Sequence, residues 1–263
     1  MGSGHAPHWR AGGAVSRRAG GVPRYRALMD LIETLRSTGA VREFLPDPID
    51  DAVLYRVLDT ARFAPSGGNR QGWRVIVVQD PEKRRALRDL YLTGWYEYLA
   101  MAGAGLVPWA PVTDRVAEAE AAAHAPALRE QAASQTAAGS PGMAEALDLA
   151  PAVLLVVADL TALAAVDRDH DRYTFAGGAS IYPFTWNLLL AARSEGLGGV
   201  ITTMAIRRED ELRRLFSIPE TSAVAAVVVL GRPVAAVRRL RRLPVEEFTW
   251  VDGYGAAPFQ SPQ

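Results

Sequence analysis

A chain of 263 residues, 49% hydrophobic and 22% charged, is long enough to bury one substantial core, and its formal net charge of zero gives no reason to expect DNA, RNA or an anionic membrane as a partner. Cysteine is absent, which excludes disulfides, thiolate metal sites and cysteine nucleophiles and fits a reducing cytoplasm. No stretch nears the roughly 20 apolar residues of a membrane span, so a soluble protein is expected.

Residues 1–24 are rich in Gly, Ala and Arg without periodicity and lack the apolar core of a secretory signal; they read as a disordered extension, with residues 25–263 forming one domain. Leu28, Leu31, Ile32 and Leu35 share one helical face, and the segment continues through Arg36–Phe44 until Pro46 and Pro48 stop it. Asp50 and Asp51 open a second helix carrying Val53, Leu54, Val57, Leu58 and Ala61 at helical spacing. The run from Phe63 to Trp73 then makes a polar loop. Within it Pro65 and the pair Gly67-Gly68, flanking and following Ser66, bring the backbone close to whatever lies above it, while Asn69 and Gln71 each offer a donor and an acceptor. Such a mixture suits the edge of a flat polar heterocycle.

Arg74–Gln79 is a β-branched strand, and Pro81-Glu82 opens a charged helix through Leu90. From about residue 91 to 143 the character changes, with Tyr91, Trp95, Tyr96, Tyr98 and Trp109 followed by an Ala-rich stretch punctuated by prolines. Ala152–Ala158 is an unbroken apolar run of strand length, expected to be buried on both faces. A helix over Ala179–Glu195 ends at Gly196, a glycine in the place of a helix C-terminus. Gly198–Met204, a helix over Glu209–Phe216 and a strand over Ala223–Leu230 complete the domain before the arginines 239, 241 and 242. Strands separated by helices argue an α+β fold, a mixed sheet with helices on both faces.

Several chemistries lack their residues. His5, His8, His124 and His170 are scattered, so no metal site is expected. Asp167, Asp169 and Asp171 imitate half a calcium loop, yet Arg172 and Gly178 occupy the places that need glycine and glutamate. Ser66 is not in a Gly-x-Ser-x-Gly elbow. Neither Gly103-Ala104-Gly105 nor Gly196-Leu197-Gly198 has the third glycine of a dinucleotide fingerprint.

The run Ala64-Pro65-Ser66-Gly67-Gly68-Asn69-Arg70-Gln71-Gly72-Trp73 resembles the A-P-S-x-x-N-x-Q-P-W pattern of the FMN-dependent nitroreductase family, with Gly72 in place of the usual proline. The likeness extends from about Met29 to Val251. It implies a nitroreductase-like three-layer fold, a mixed β-sheet flanked by helices, with FMN at a homodimer interface. Arg36, Ser37, Thr38 and Arg42 match the family's first phosphate-binding motif with a two-residue insertion, so that Ser37 and Thr38 compete for one place. Arg42 would also stabilise negative charge on the N1–O2 edge of the reduced flavin. Gly199, Thr202, Thr203 and Met204 match the segment beside the ring, a backbone N–H of Thr203 or Met204 facing N5. Arg242 matches the final phosphate-binding residue, with Arg241 and Arg239 as neighbours able to substitute.

The implied activity is ping-pong: NAD(P)H, bound transiently, reduces FMN, and a small-molecule electron acceptor such as a nitroaromatic or quinone reoxidises it, with no side-chain acid or base. The 91–143 excursion would either cover the flavin and set acceptor preference or pack on the dimer partner. The alternative is a flavin-sequestering or regulatory protein of the same fold, and a third reading is flavin-consuming or dehalogenating chemistry.

Overall fold

The computed structural model describes residues 30–137, 142–235 and 239–262, with the side chains of 135–137 left aside. The expected extension over residues 1–24, together with Leu28 and Met29, lies outside the described residues, as do 138–141 within the excursion and 236–238 before the terminal arginines.

Four strands, β1 (Trp73–Val77), β2 (Ala152–Asp159), β3 (Gly198–Thr202) and β4 (Ser222–Gly231), form a sheet in the order β1-β2-β4-β3. All neighbouring strands pair antiparallel, with a register shift between β2 and β4 at Val156/Val157, where Ala225 is the extra residue of β4. The parallel component of the expected mixed sheet is a single bridge, Ala40 to Gly199 along the free edge of β3. Beyond it the chain turns antiparallel, with Leu45 N–H donating to Arg232 and Val234 N–H to Glu43.

The unbroken apolar run of β2 is buried on both faces because a helical layer covers each side. Leu154, Val156, Val228 and Leu230 pack with α2 (Asp51–Ala61) and α6 (Tyr182–Ser194), through Leu54, Val57, Phe184 and Leu188. Val153, Leu155, Val227 and Val229 pack with α3 (Pro81–Gly103) and α7 (Glu209–Phe216), through Leu87, Tyr91 and Leu212. This is a three-layer α+β arrangement. Each fully buried aliphatic side chain such as Leu188 contributes about 1.5–3 kcal/mol.

The helix starts follow the sequence. Asp50 caps α2 by accepting from Ala52 N–H, and Asp80 caps α3 by accepting from Glu82 and Lys83 N–H, with Pro81 at the first turn. α3 outruns its expected end at Leu90 and continues to Gly103, because Tyr91, Trp95 and Tyr98 recur at helical spacing and extend the same element. The excursion then folds as α4 (Arg115–Ala122) and α5 (Ala125–Ala137). α1 is short, Leu31–Ser37, and residues 38–45 are extended along β3 rather than helical. Its apolar residues Leu31, Ile32 and Leu35 face solvent in the single chain.

Candidate functional site

Three parts of the chain meet where β3 begins. Leu240 N–H donates to the carbonyl of Arg36 at 2.9 Å, and Val41 N–H donates to that of Gly199, so α1, the extended segment, β3 and the terminal arginines share one corner. Arg36, Arg42, Arg241 and Arg242 are all exposed there or next to it, and none has an ion-pair partner among the described residues. Elsewhere Arg56, Arg88, Arg172 and Arg207 are each paired with a carboxylate. Guanidinium forks with no carboxylate partner are the type of donor that a phosphate takes.

Two expected donors are not free to serve that corner. Ser37 and Thr38 are buried, and their hydroxyls donate to the carbonyls of Glu33 and Thr34 inside α1. Gly198 and Gly199 are small for a reason internal to the chain. A Cβ on Gly198 would stand 2.6 Å from Val41, and one on Gly199 2.4 Å from the Val229 carbonyl, so packing within the chain by itself requires glycine at both positions.

Arg42 borders a cleft of about 630 Å³ that also touches Trp95 and Glu145. Behind it Tyr91 is almost fully enclosed, and its hydroxyl lies 3.3 Å from Thr202 Oγ1. Burial pushes the Tyr91 phenol up, against the opposing pull of the Thr202 hydrogen bond and the charge of Arg42. Nearby Tyr96 donates to Glu145 at 2.5 Å, and burial together with that bond raises its phenol well above its usual range. At the far end of β3, Thr203 is exposed and Met204 half-buried, against α3 at Gly94.

The polar loop sits on the opposite edge of the sheet, at the start of β1. Trp73 stacks on Phe184 at 4.9 Å and anchors it to α6. Gly68, Asn69 and Gln71 all have positive φ, a strained conformation for the two non-glycine residues. Backbone hydrogens are consumed locally: Gly67 N–H donates to Ser180 Oγ, Asn69 N–H to the Ser66 carbonyl and Gln71 N–H to Ser66 Oγ. What the loop presents outward is therefore the amide pair of Asn69 and Gln71, linked at 3.2 Å, beside exposed Pro65. Ser180 had no signal in the sequence, being 113 residues from its partner.

The candidate residues thus form two groups within one chain. β1 and β3 are the outer strands, so the loop and the end of β3 are separated across the sheet by three interstrand spacings, about 14 Å, and along it by the offset in β4 between Ala223, in register with Trp73, and Val227, in register with Thr202; the arginine corner lies a strand length further.

The model of the nitroreductase family matches residues 35–232. The chain belongs to the nitroreductase family. It is an oxidoreductase on that ground, and the family match covers the first basic segment, the polar loop and β3 while stopping short of Arg241 and Arg242. A protein named NADH dehydrogenase from Thermus thermophilus is 28% identical over 207 residues, covering 79% of this chain and 88% of that one. A 5,6-dimethylbenzimidazole synthase from Rhodobacter capsulatus is 45% identical over 73 residues, 28% of this chain and 34% of the relative. Among solved structures, the NADPH:FMN oxidoreductase of Vibrio harveyi, determined with NAD+, has the same fold at a TM-score of 0.56 and 22% identity, over 85% of this chain and 77% of that one. No helix among the described residues is long and apolar enough to cross a membrane.

Proposed function

We propose that the protein is a homodimeric FMN-dependent oxidoreductase that takes reducing equivalents from NAD(P)H and passes them to an electron-poor small molecule such as a nitroaromatic or quinone. The observation that carries this reading is the corner of unpaired arginines, where Leu240 meets Arg36. Its donor set fits a phosphate: Arg36, Arg241 and Arg242 present guanidinium groups from two distant parts of the chain, and no carboxylate among the described residues is paired with them. FMN held there would supply the redox chemistry. The protein's own share is to bind and orient: Arg42 offers positive charge, and the backbone N–H groups of Thr203 and Met204 offer donors at the end of β3.

The separation of the polar loop from this corner supports a two-chain site. Asn69 and Gln71 of one copy would complete the pocket of the other, and the exposed Leu31, Ile32 and Leu35, with Tyr55 and Phe63, supply apolar surface for that association. The cytoplasm is the expected compartment.

The test is reconstitution with FMN followed by anaerobic NADH or NADPH. A yellow dimer that bleaches is the expected result. Colour without bleaching favours the flavin-sequestering alternative, and no uptake of FMN refutes both. Substituting Arg36→Ala and Arg242→Ala together should weaken FMN at least tenfold while leaving riboflavin, which lacks the phosphate, nearly unchanged.

A further inference from the structure

Gln71 has φ of +51°, a left-handed conformation that a residue with a long side chain rarely adopts unless its surroundings hold it there. Side chains hold both of its backbone groups. The N–H donates to Ser66 Oγ at 3.0 Å, and the carbonyl accepts from Arg74 Nη1 at 2.9 Å. The same Nη1 donates to the Trp73 carbonyl at 2.8 Å, while Nη2 donates to Asp159 Oδ2 at 3.1 Å. One guanidinium fork thus joins the exit of the polar loop to the end of β2, where its anchor lies 85 residues away in sequence.

Asp159 is itself fixed. Its Oδ1 accepts from the Thr161 hydroxyl at 2.6 Å and from the Thr161 N–H at 3.1 Å, and its own N–H donates to the Gly72 carbonyl at 2.7 Å. The Thr161 hydroxyl foremost, with the charge of Arg74 adding to it, holds the Asp159 carboxyl below its usual range. Behind the loop's exit there is little slack, since a Cβ on Gly72 would stand 3.2 Å from both Ala162 and Leu163. The left-handed turn at Gln71 folds its side chain back, so that Nε2 donates to Asn69 Oδ1 at 3.2 Å. Relaxation of Gln71 to negative φ would swing that amide away from Asn69.

We infer that Arg74 is a positioning residue: anchored by Asp159, its fork fixes the Gln71 backbone and so aims the Asn69–Gln71 amide pair at the ring of the bound flavin. The inference deepens the proposed function and rests on it for the identity of the ring. Arg74 acts through Gln71. Lysine cannot replace it, because one nitrogen cannot stand at both ends of the fork. An exposed ion pair adds little to global stability, which separates this role from folding.

The full-length Arg74→Lys protein tests the inference through hydrogen exchange of the Gln71 amide and titration with riboflavin and FMN. The expected result is Gln71 exchange about tenfold faster, with riboflavin and FMN weakened by one common factor, roughly fivefold or more, at a nearly unchanged urea midpoint. The common factor distinguishes this role from that of the arginine corner, whose loss weakens FMN alone. Asp159→Asn keeps an oxygen for Thr161 but offers Arg74 a neutral amide, and it should shift exchange and both affinities in the same direction. Parent-like exchange and binding in Arg74→Lys would make Arg74 the partner of a surface ion pair and overturn the inference, as would faster exchange with unchanged riboflavin affinity. Uptake of neither flavin by the unaltered protein would refute the proposed function instead, and Gln71 exchange in the variants then decides whether Arg74 holds the amide pair.

Discussion

Gly94 is the point at which α3 touches the turn that follows β3, and replacing it with alanine tests whether that contact fixes Met204. A Cβ at this position would lie 2.5 Å from the Met204 carbonyl oxygen, 3.2 Å from its carbon and 3.0 Å from Arg207 Cγ. The first distance is about 0.8 Å short of the ~3.3 Å at which carbon and a carbonyl oxygen ordinarily meet. The obstructing atom is backbone, so no rotamer change relieves it, and either α3 or residues 204–207 must move. In an unobstructed helix interior, glycine to alanine stabilises by about 1 kcal/mol. Overpacking costs about 1–3 kcal/mol. With a backbone oxygen as the obstruction the upper part of that range, about 2–3 kcal/mol, applies, and the expected sum for Gly94→Ala is a net loss of about 1–2 kcal/mol by urea denaturation at unchanged slope. Gly103→Ala is the internal control, because nothing lies within 4 Å of its Cβ and it occupies the last position of the same helix. It should be neutral or slightly stabilising. A Gly94→Ala protein as stable as the parent, or more so, would show that the contact yields freely and that Gly94 does not position Met204.

Asp167 accepts from Phe175 N–H at 2.7 Å, from Ala176 N–H and from Arg172, contacts that hold its carboxyl well below the usual range, the Phe175 bond foremost. A depressed folded-state pKa contributes stability that is complete above the unfolded value near ~3.9 and is lost as pH falls below it. The stability gap between the parent and Asp167→Asn should therefore be constant at neutral pH and shrink below about pH 4; a gap that grows on acidification would contradict the assignment. Tyr96→Phe removes a hydrogen bond to a carboxylate and should cost about 1–3 kcal/mol in urea denaturation, whereas a loss too small to measure would make the Tyr96–Glu145 contact incidental. Arg42→Ala should weaken FMN retention and lower the flavin midpoint potential by on the order of 30 mV for each ~1.4 kcal/mol of lost charge stabilisation. Spectroelectrochemistry measures it, and an unchanged potential makes Arg42 a bystander.

Local pattern carried much of this protein. The apolar run at 152–158 required two covering layers, the spacing within 51–61 required a helix with one buried face, and Glu209–Phe216 was legible to the residue. The polar loop was legible too, because Pro65, the glycines, Asn69 and Gln71 express their chemistry within a few bonds of one another. The continuation of α3 through Tyr91, Trp95 and Tyr98 could have been read from their spacing, but the change in composition concealed it. Contacts between distant segments had no such local expression. The donation from Leu240 to Arg36, the filling of the space at Gly198 and Gly199 by Val41 and Val229, and the unmatched oxygen of Glu118 depend on which surfaces the folded chain brings together. Residue order sets periodicity and turn chemistry, which act over one or two turns. Which guanidinium stays unpaired, and which carboxylate is sealed from water, is decided by packing across the sheet, where the competing partners are scores of residues away.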